Sequence, residues 1–557
     1  MLHDPNEIPS STPEAVRKIA NAIAAEDYKG ASQLGELFLS HGLVHPAMYS
    51  ARALWFERQG KDDEALAEFQ RARALSPKDA MLLNAIGLCL TRLYRLPDAL
   101  EIFDEAIRID PAYAPSHQRK GVALGMAGLS RAAEDAHRRA VSLQPRNPES
   151  LGSLASIAAR KGDVAAAERY AERALAADKE NGTAHAALAL VELSRKQFPE
   201  AEQRLRKILR DPRVAGHGRA VAMGLLGDAL DAQGEFAEAF AAFEAANREM
   251  RRLHAARFHG KVAMSDMLEG LSAWFESTPP EAWEPPLEVA DEGGPAKQHV
   301  FLLGFYRSGT TLLEQVLETH PGIITMEERD LLAEDAEQFL TSAAGLERLS
   351  SLDGPALALA RSRYWEGVRR HGIDVTGRIF VDKHPLNSIK LPLIRKLFPH
   401  AKIVFALRDP RDVVLSCFRR HFEINAAMFE FLSLEGAARL YDRAMAFADQ
   451  CRRKIAFRIF EHRYEDMVLD FETAIRAVCD FLEAEFLPQL RDFATTARGL
   501  DIRSPSAPQV RRGLYSDALA QWTRYRSEME PVLPSLERWV ERFGYTPTGA
   551  SNEPSAA

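Results

Sequence analysis

A short segment bounded by glycines has the composition of a phosphate-binding loop. It runs from Gly304 to Gly309, after an apolar run and before an amphipathic segment, which predicts a strand, a loop and a helix. Backbone N–H groups of such a loop and the N-terminus of its helix bind phosphate. Hydrolysis of ATP or GTP would call for lysine at position 310. The chain has Thr310 there and carries its basic residue inside the loop, as Arg307.

Short β-rich runs alternate with helical segments around this loop. This alternation predicts a parallel α/β sheet, and ligands of such sheets bind beyond the carboxyl ends of the strands. The predicted strands are 300–303, 378–381, 402–407 and one that begins at 459–460, and the predicted helices include 311–319 and 412–421.

The loop sequence Arg307-Ser308-Gly309-Thr310-Thr311 resembles the 5′-phosphosulfate loop of sulfotransferases, which use 3′-phosphoadenosine 5′-phosphosulfate (PAPS). The closest resemblance is to tyrosylprotein sulfotransferases and their bacterial relatives, and it extends over roughly residues 299–546. It implies an α/β, P-loop-like sulfotransferase domain with a parallel sheet, in which these five residues bind PAPS.

Two residues after the third predicted strand resemble the 3′-phosphate site of sulfotransferases. Arg408 leaves the strand, and Ser416 lies eight positions later. A guanidinium offers phosphate a planar pair of donors, and a serine hydroxyl adds another. The neighbouring Arg411 is interpreted as part of a helix-capping turn.

The resemblance also assigns catalytic roles. Lys383 matches a family lysine that could neutralise charge on the leaving oxygen. Glu328 falls where the relatives carry a catalytic glutamate, and a closed site that raised its pKa would suit it to take the acceptor's proton. Glu327 and His384 remain alternative bases, and Asp330 stands where the family has an arginine.

The resemblance therefore predicts two sets of site residues and no metal ligand. The catalytic set is Glu328, Lys383 and Arg307. The PAPS-binding set is Arg307, Ser308, Gly309, Thr310, Thr311, Arg408, Ser416, Tyr464, Arg511 and Arg512.

The N-terminal half repeats itself with a period of 34 residues. Alanines recur at equivalent positions, as do Gly87 and Gly121, and Phe69 and Phe103. Small residues let helices cross closely, and the aromatic ring fills the adjoining space. The pattern resembles tetratricopeptide (TPR) repeats, which implies an all-α superhelix whose concave face binds a protein or peptide.

The expected organisation is a TPR superhelix followed by the sulfotransferase domain. The predicted boundaries are a tail at 1–11, repeats at 12–255, a helical segment and linker at 256–298, the sulfotransferase domain at 299–546 and a tail at 547–557.

Composition argues against several other classes. The net charge of −8 gives no general attraction to nucleic acid. No apolar run approaches the roughly 20 residues of a membrane span. The four cysteines are scattered, without a zinc or disulfide pattern, which favours a cytoplasmic location.

The sequence thus predicts a PAPS-dependent sulfotransferase that moves a sulfuryl group to a hydroxyl acceptor without a metal. The acceptor is left open among protein tyrosine presented by the repeats, a glycan and a small molecule. Two alternatives are a non-catalytic TPR scaffold with a degenerate sulfotransferase domain and a small-molecule P-loop kinase.

Overall fold

The computed structural model describes residues 11–284, 294–420, 422–493 and 519–546. The predicted sites Arg511 and Arg512 lie outside these ranges, as does His421 at the end of a predicted helix. Contacts divide the chain into two units, Met1–Val214 and Ala215–Ala557.

The described part of the N-terminal unit is built from α-helices joined by short turns. They are α1 (Thr12–Ala24), α2 (Tyr28–Ser40), α3 (Pro46–Arg58), α4 (Asp62–Leu75), α5 (Ala80–Arg92), α6 (Leu96–Ile109), α7 (Ala114–Met126), α8 (Ser130–Leu143), α9 (Pro148–Lys161), α10 (Val164–Ala177), α11 (Gly182–Ser194) and α12 (Phe198–Ile208).

The repeat register predicted from the sequence matches how these helices pack. A Cβ at Gly87 of α5 would lie 2.5 Å from the Phe103 ring of α6, so only glycine allows this approach. Phe103, Ala99 and Ala106 are fully buried. The predicted TPR architecture of this unit is confirmed.

The C-terminal unit begins with helices that precede the sheet. They are α13 (Gly216–Gln233), α14 (Phe236–Phe258) and α15 (Met264–Ser277). Gly227 of α13 faces the ring of Phe243 on α14, as Gly87 faces Phe103, so this pair is built like a repeat. The sequence analysis counted residues up to 255 with the repeats, whereas contacts group them with the sheet from Ala215 onward.

A five-stranded parallel sheet lies at the centre of this unit, in agreement with the predicted fold class. Its strands are β1 (Gln298–Leu303), β2 (Ile323–Glu327), β3 (Ile379–Lys383), β4 (Lys402–Leu407) and β5 (Arg458–Arg463), in the order β2-β3-β1-β4-β5. The sequence analysis missed β2 because this edge strand is half-exposed and has no continuous apolar run.

The remaining helices of the C-terminal unit follow or precede the strands. They are α16 (Thr310–Glu318), α17 (Ala333–Phe339), α18 (Ala343–Ser350), α19 (Gly354–Arg370), α20 (Leu391–Leu397), α21 (Pro410–Arg419), α22 (Ala426–Glu430), α23 (Leu434–Lys454), α24 (Tyr464–Leu469), α25 (Phe471–Leu482), α26 (Arg526–Met529) and α27 (Leu533–Arg542).

The sheet order places a topological switch point at the end of β1. The chain leaves β1 for β2 and β3 on one side, and later adds β4 and β5 on the other. The loop after β1 therefore opens where the two halves of the sheet diverge, which is the usual ligand position in such sheets. Among the described residues, no helix has both the length and the apolar character needed to cross a membrane.

Candidate active site

The loop after β1 is held in shape by two glycines. A Cβ at Gly304 would overlap the carbonyl oxygen of Ala406 on β4. Gly309 has φ +91°, and a Cβ there would lie 2.6 Å from the ring of Tyr464. Helix α16 begins at the next residue, Thr310, so its first N–H groups point toward the loop. This is the strand, loop and helix that the sequence predicts.

Arg307 lies at the centre of this loop and joins it to α21. Its φ of +69° is in the left-handed region, which costs energy for a residue other than glycine. Its Nε donates to Ser416 Oγ at 2.9 Å. Its carbonyl oxygen accepts from Arg408 Nη1 at 3.2 Å. The structure therefore brings the predicted 5′- and 3′-phosphate residues together.

Arg408 is buried between a carboxylate and an aromatic ring. Its Nη2 lies 3.7 Å from Asp412 Oδ2, and its guanidinium lies 4.8 Å from the centre of the Tyr464 ring. Burial raises the pKa of Asp412 to about 6, although Arg408 opposes this effect. Tyr464 thus supports both the loop, through Gly309, and the Arg408 side chain.

Arg411 has a structural role, as the sequence interpretation anticipated. It pairs with Asp409 through two side-chain hydrogen bonds of 2.9 and 2.6 Å. Asp409 also caps α21 by accepting from the Arg411 backbone N–H. The guanidinium stacks on Trp522 at 4.1 Å.

Lys383 lies at the end of β3 between two glutamates. Its side chain is 0% exposed, and its Nζ is 2.8 Å from Glu328 Oε1 and 3.1 Å from Glu314 Oε2. Burial alone would lower the pKa of Lys383, but Glu314 and Glu328 outweigh it and raise the pKa. The lysine is therefore charged at neutral pH.

Glu328 follows β2 in a strained conformation, with φ +37°. Its N–H donates to the Lys383 carbonyl oxygen at 2.8 Å, which ties the two strand ends together. Burial acts to raise the pKa of Glu328, but Lys383 outweighs burial and the pKa is lowered. The sequence analysis named a raised pKa as the condition that would suit Glu328 to catalysis, and it did not place the lysine against the carboxylate, where the pKa is lowered instead.

The alternative bases lie close by in different environments. Burial lowers the pKa of His384 to about 4, so its ring is neutral at physiological pH. Glu327 ends β2 and is half-buried. Asp330, which replaces a family arginine, forms an ion pair with Lys390.

The predicted site residues that lie within the described ranges are placed along the carboxyl edge of the sheet in strand order. Glu328 follows β2, Lys383 ends β3, the loop with Arg307 follows β1, Arg408 follows β4 and Tyr464 follows β5. Sequence reasoning missed Glu314, although an acidic residue between the apolar residues Leu313 and Val316 was a visible signal.

This arrangement fits two anionic groups on one ligand. Arg307, Ser308 and the α16 N-terminus form one set of donors, and Arg408 with Ser416 forms another. Cationic donors of this kind bind phosphate and sulfate. A carboxylate and an ammonium at the adjoining strand ends supply a proton acceptor and a positive charge.

Family comparisons match both halves of the chain. Residues 299–488 match the sulfotransferase family. Residues 50–114, 119–182 and 154–215 match the tetratricopeptide repeat.

Three relatives illustrate the range of similarity. A protein of Aquifex aeolicus described as uncharacterized is 25% identical over 62% of this chain, and this chain covers 45% of its length. A putative protein-tyrosine sulfotransferase of Caenorhabditis briggsae is 26% identical over 43% of this chain and 88% of its own length. Protein-tyrosine sulfotransferase 1 of Danio rerio is 25% identical over 44% of this chain and 72% of its own length.

A solved TPR protein from Parabacteroides merdae aligns with 44% of this chain and 98% of its own length, with 16% identity and a TM-score of 0.36. The two family matches agree with the helical repeats and with the domain that contains the parallel sheet. This chain carries tetratricopeptide repeats within residues 50–215 and a sulfotransferase domain over residues 299–488.

Proposed function

We propose that this protein is a PAPS-dependent sulfotransferase that acts on a hydroxyl acceptor. The observation that carries the proposal is the convergence of Arg307, Ser416, Arg408, Lys383 and Glu328 at one edge of the sheet. A 3′-phosphate distinguishes PAPS from other adenylates. A second cationic donor set beside the phosphosulfate loop is suited to bind that phosphate.

The residues of this site divide into binding and chemical roles. Arg307, Ser308, Gly309, Thr310 and Thr311 would hold the 5′-phosphosulfate through side chains and backbone N–H groups. Arg408 and Ser416 would hold the 3′-phosphate, with Tyr464 as the support of both.

PAPS, when bound, supplies the sulfuryl group. Glu328 accepts the proton of the acceptor hydroxyl, and the acceptor oxygen gains the bond to sulfur that the phosphate oxygen gives up. Lys383 and Arg307 offset the negative charge left on that phosphate. The products are a sulfate ester, 3′-phosphoadenosine 5′-phosphate (PAP) and the proton held by Glu328.

Thermal unfolding with PAP, AMP and ATP tests the nucleotide assignment. Saturation at 100 times Kd adds about 2.7 kcal/mol to the liganded protein. We expect PAP to raise the transition temperature, AMP and ATP to raise it less, and Arg408→Ala to remove the difference. Arg420→Ala is the control, because this arginine directly after α21 is partly exposed and pairs with Asp228.

The outcomes separate the alternatives. No shift with millimolar PAP would refute the proposal and leave a non-catalytic scaffold. A shift with ATP alone would point to a kinase. A PAP-specific shift justifies a screen of acceptors with labelled PAPS.

For the acceptor, we propose protein tyrosine bound through the concave face of the repeats. The similarity to protein-tyrosine sulfotransferases and the presence of repeats in the same chain support this choice. A fragment of residues 215–557 retains the unit that contains the sheet. We expect it to bind PAP normally and to lose kcat/KM toward the acceptor, whereas an unchanged kcat/KM would refute presentation by the repeats.

A further inference from the structure

Lys383 has two carboxylate neighbours, and only one of them belongs to the reaction proposed above. Glu328 Oε1 is 2.8 Å from its Nζ, on the side where 29% of the glutamate side chain remains exposed. Glu314 Oε2 is 3.1 Å away, and both Glu314 and Lys383 are 0% exposed. Glu314 therefore approaches the ammonium from the interior, and Glu328 approaches it from the open side.

This arrangement creates a conflict for the proposed chemistry. While Lys383 is bonded to Oε1 of Glu328, its ammonium lowers the pKa of that carboxylate and so makes it a weaker base. Release of Glu328 would leave a buried ammonium without a partner, which is costly in the protein interior. A second carboxylate on the interior side removes that cost.

The local fold explains why Glu314 points at the lysine. It lies four residues after Thr310 on α16, and this helix contacts the sheet with its apolar face, where Leu313 and Val316 are also fully buried. Lys383 is the last residue of β3, so its side chain reaches the same space from the sheet. Both side chains come from regular elements that position them firmly.

We propose that Glu314 is a positioning residue that, when ionised, takes over the Lys383 ammonium and so releases Glu328 to act as the base. The proposal rests on the proposed sulfotransferase function. Glu314 itself makes no contact with the reacting atoms and acts only through Lys383.

The charges around Glu314 set the pH range of this exchange. Lys383 at the end of β3 faces it, and Glu327 and Glu328 at the end of β2 add negative charge. Burial raises the pKa of Glu314 to about 8, although Lys383 opposes this effect. At lower pH Glu314 is neutral, and the Lys383 ammonium stays paired with Glu328. At higher pH Glu314 is ionised and competes with Glu328 for the ammonium.

The test compares the pH dependence of sulfuryl transfer in the wild type and in Glu314→Gln. Water serves as the acceptor probe, and release of labelled sulfate from PAPS is followed in single turnovers of the full chain. Water adds to sulfur as the bond to the phosphate oxygen breaks, which yields hydrogen sulfate, PAP and a proton taken by Glu328. The hydrogen sulfate then loses its remaining proton to the solvent and is counted as sulfate. The rate of Glu328→Gln gives the contribution of hydroxide, which is subtracted from both rates before their ratio is taken.

We expect the wild type and Glu314→Gln to react at similar rates near pH 6. Near pH 9 we expect the wild type to be about tenfold faster or more, because only its Glu328 is released as a base. Glu318→Gln is the matched control, since Glu318 lies on the same helix and instead accepts hydrogen bonds from Thr325. The ratio of the wild-type rate to the Glu318→Gln rate should stay near one at every pH.

Several results would overturn the proposal. If the ratio of the wild-type rate to the Glu314→Gln rate differs from one but does not change with pH, Glu314 has a purely structural role. If the ratio is one at every pH, Glu314 has no role in the reaction. Glu314→Met fills the same buried space without charge, and failure of both variants to bind PAP would assign Glu314 to the fold instead. If the wild type neither binds PAP nor releases sulfate, the sulfotransferase proposal itself fails, which is a different result from these.

Discussion

Substitution of Asp231 by alanine should destabilise the C-terminal unit through its effect on α21. Asp231 lies near the end of α13 and accepts from Arg419 Nη2 at 2.8 Å and from the Tyr525 hydroxyl at 2.5 Å. Arg419 is the last residue of α21, the helix that carries Ser416. The side chain of Arg419 is only 5% exposed and also lies over the rings of Phe243 and Tyr525.

The expected magnitude follows from this burial. Removal of one partner of a buried ion pair costs about 3–5 kcal/mol, because the remaining charge is left without compensation. Asp231 is 17% exposed, so water can reach part of the vacated space, and we expect about 2–4 kcal/mol. For a large unit, each kcal/mol lowers the transition temperature by about 2 °C, which gives a decrease of about 4–8 °C.

Differential scanning calorimetry of the full chain measures this change. The relevant transition is the one that PAP shifts. Asp228→Ala is a matched control one turn earlier, because Asp228 pairs with Arg420 at 3.3 Å and the two side chains are 27% and 34% exposed. A surface pair of this kind is worth about 0–1 kcal/mol.

Equal decreases in transition temperature for Asp231→Ala and Asp228→Ala would refute the reasoning, because burial of the arginine charge would then not determine the loss of stability. A normal transition in Asp231→Ala would show that α13 does not stabilise the end of α21. We also expect the Asp231→Ala protein to bind PAP more weakly, since Ser416 lies within one turn of Arg419.

Three further substitutions test other parts of the unit. Glu328→Gln should lower kcat by about 10²- to 10⁴-fold with the Kd for PAP unchanged in calorimetric titration, and a normal kcat would transfer the role of base to Glu327 or His384. Gly309→Ala should abolish the thermal shift with PAP, because its Cβ would lie 2.6 Å from Tyr464 at φ +91°; a normal shift would mean that the loop adapts. Burial raises the pKa of Asp382 from 3.8 to about 7. Between these pH values the folded state retains a proton that the unfolded state loses. The contribution of this carboxyl to the free energy of unfolding therefore declines as pH rises through that range. Denaturant titrations of Asp382→Asn should therefore show stability rising relative to the wild type between these pH values, whereas parallel curves would contradict the raised pKa.

Local patterns predicted most of the elements around the site. The apolar runs that became β1, β3 and β4 are buried along nearly their whole length, so composition alone identifies them. Strand β2 lies at the edge of the sheet, and three of its five residues are only partly buried, so it has no continuous apolar run. The sequence analysis therefore named Glu328 as a candidate base but did not predict the strand that positions it.

Long-range electrostatics were the least predictable part of the site. The pKa of Glu328 depends on Lys383, which lies 55 residues away in the chain. The pairs Arg411 with Asp409 and Arg408 with Asp412 are by contrast local, since their members lie close in the chain around the start of α21. The sequence identifies the charged residues, but only the distances between them in the folded chain determine which residues form pairs.

The amino-acid sequence by itself determined the helical repeats, the glycine loop and the strand-end positions of Arg408 and Lys383. These features depend on periodicity, on glycine where a close approach requires it and on apolar runs, all of which act over a few residues. The tertiary structure decided that Glu314 and Glu328 share one buried lysine and that Asp231 holds the end of α21. Those contacts depend on the order of strands in the sheet and on burial, which arise only when distant segments pack together.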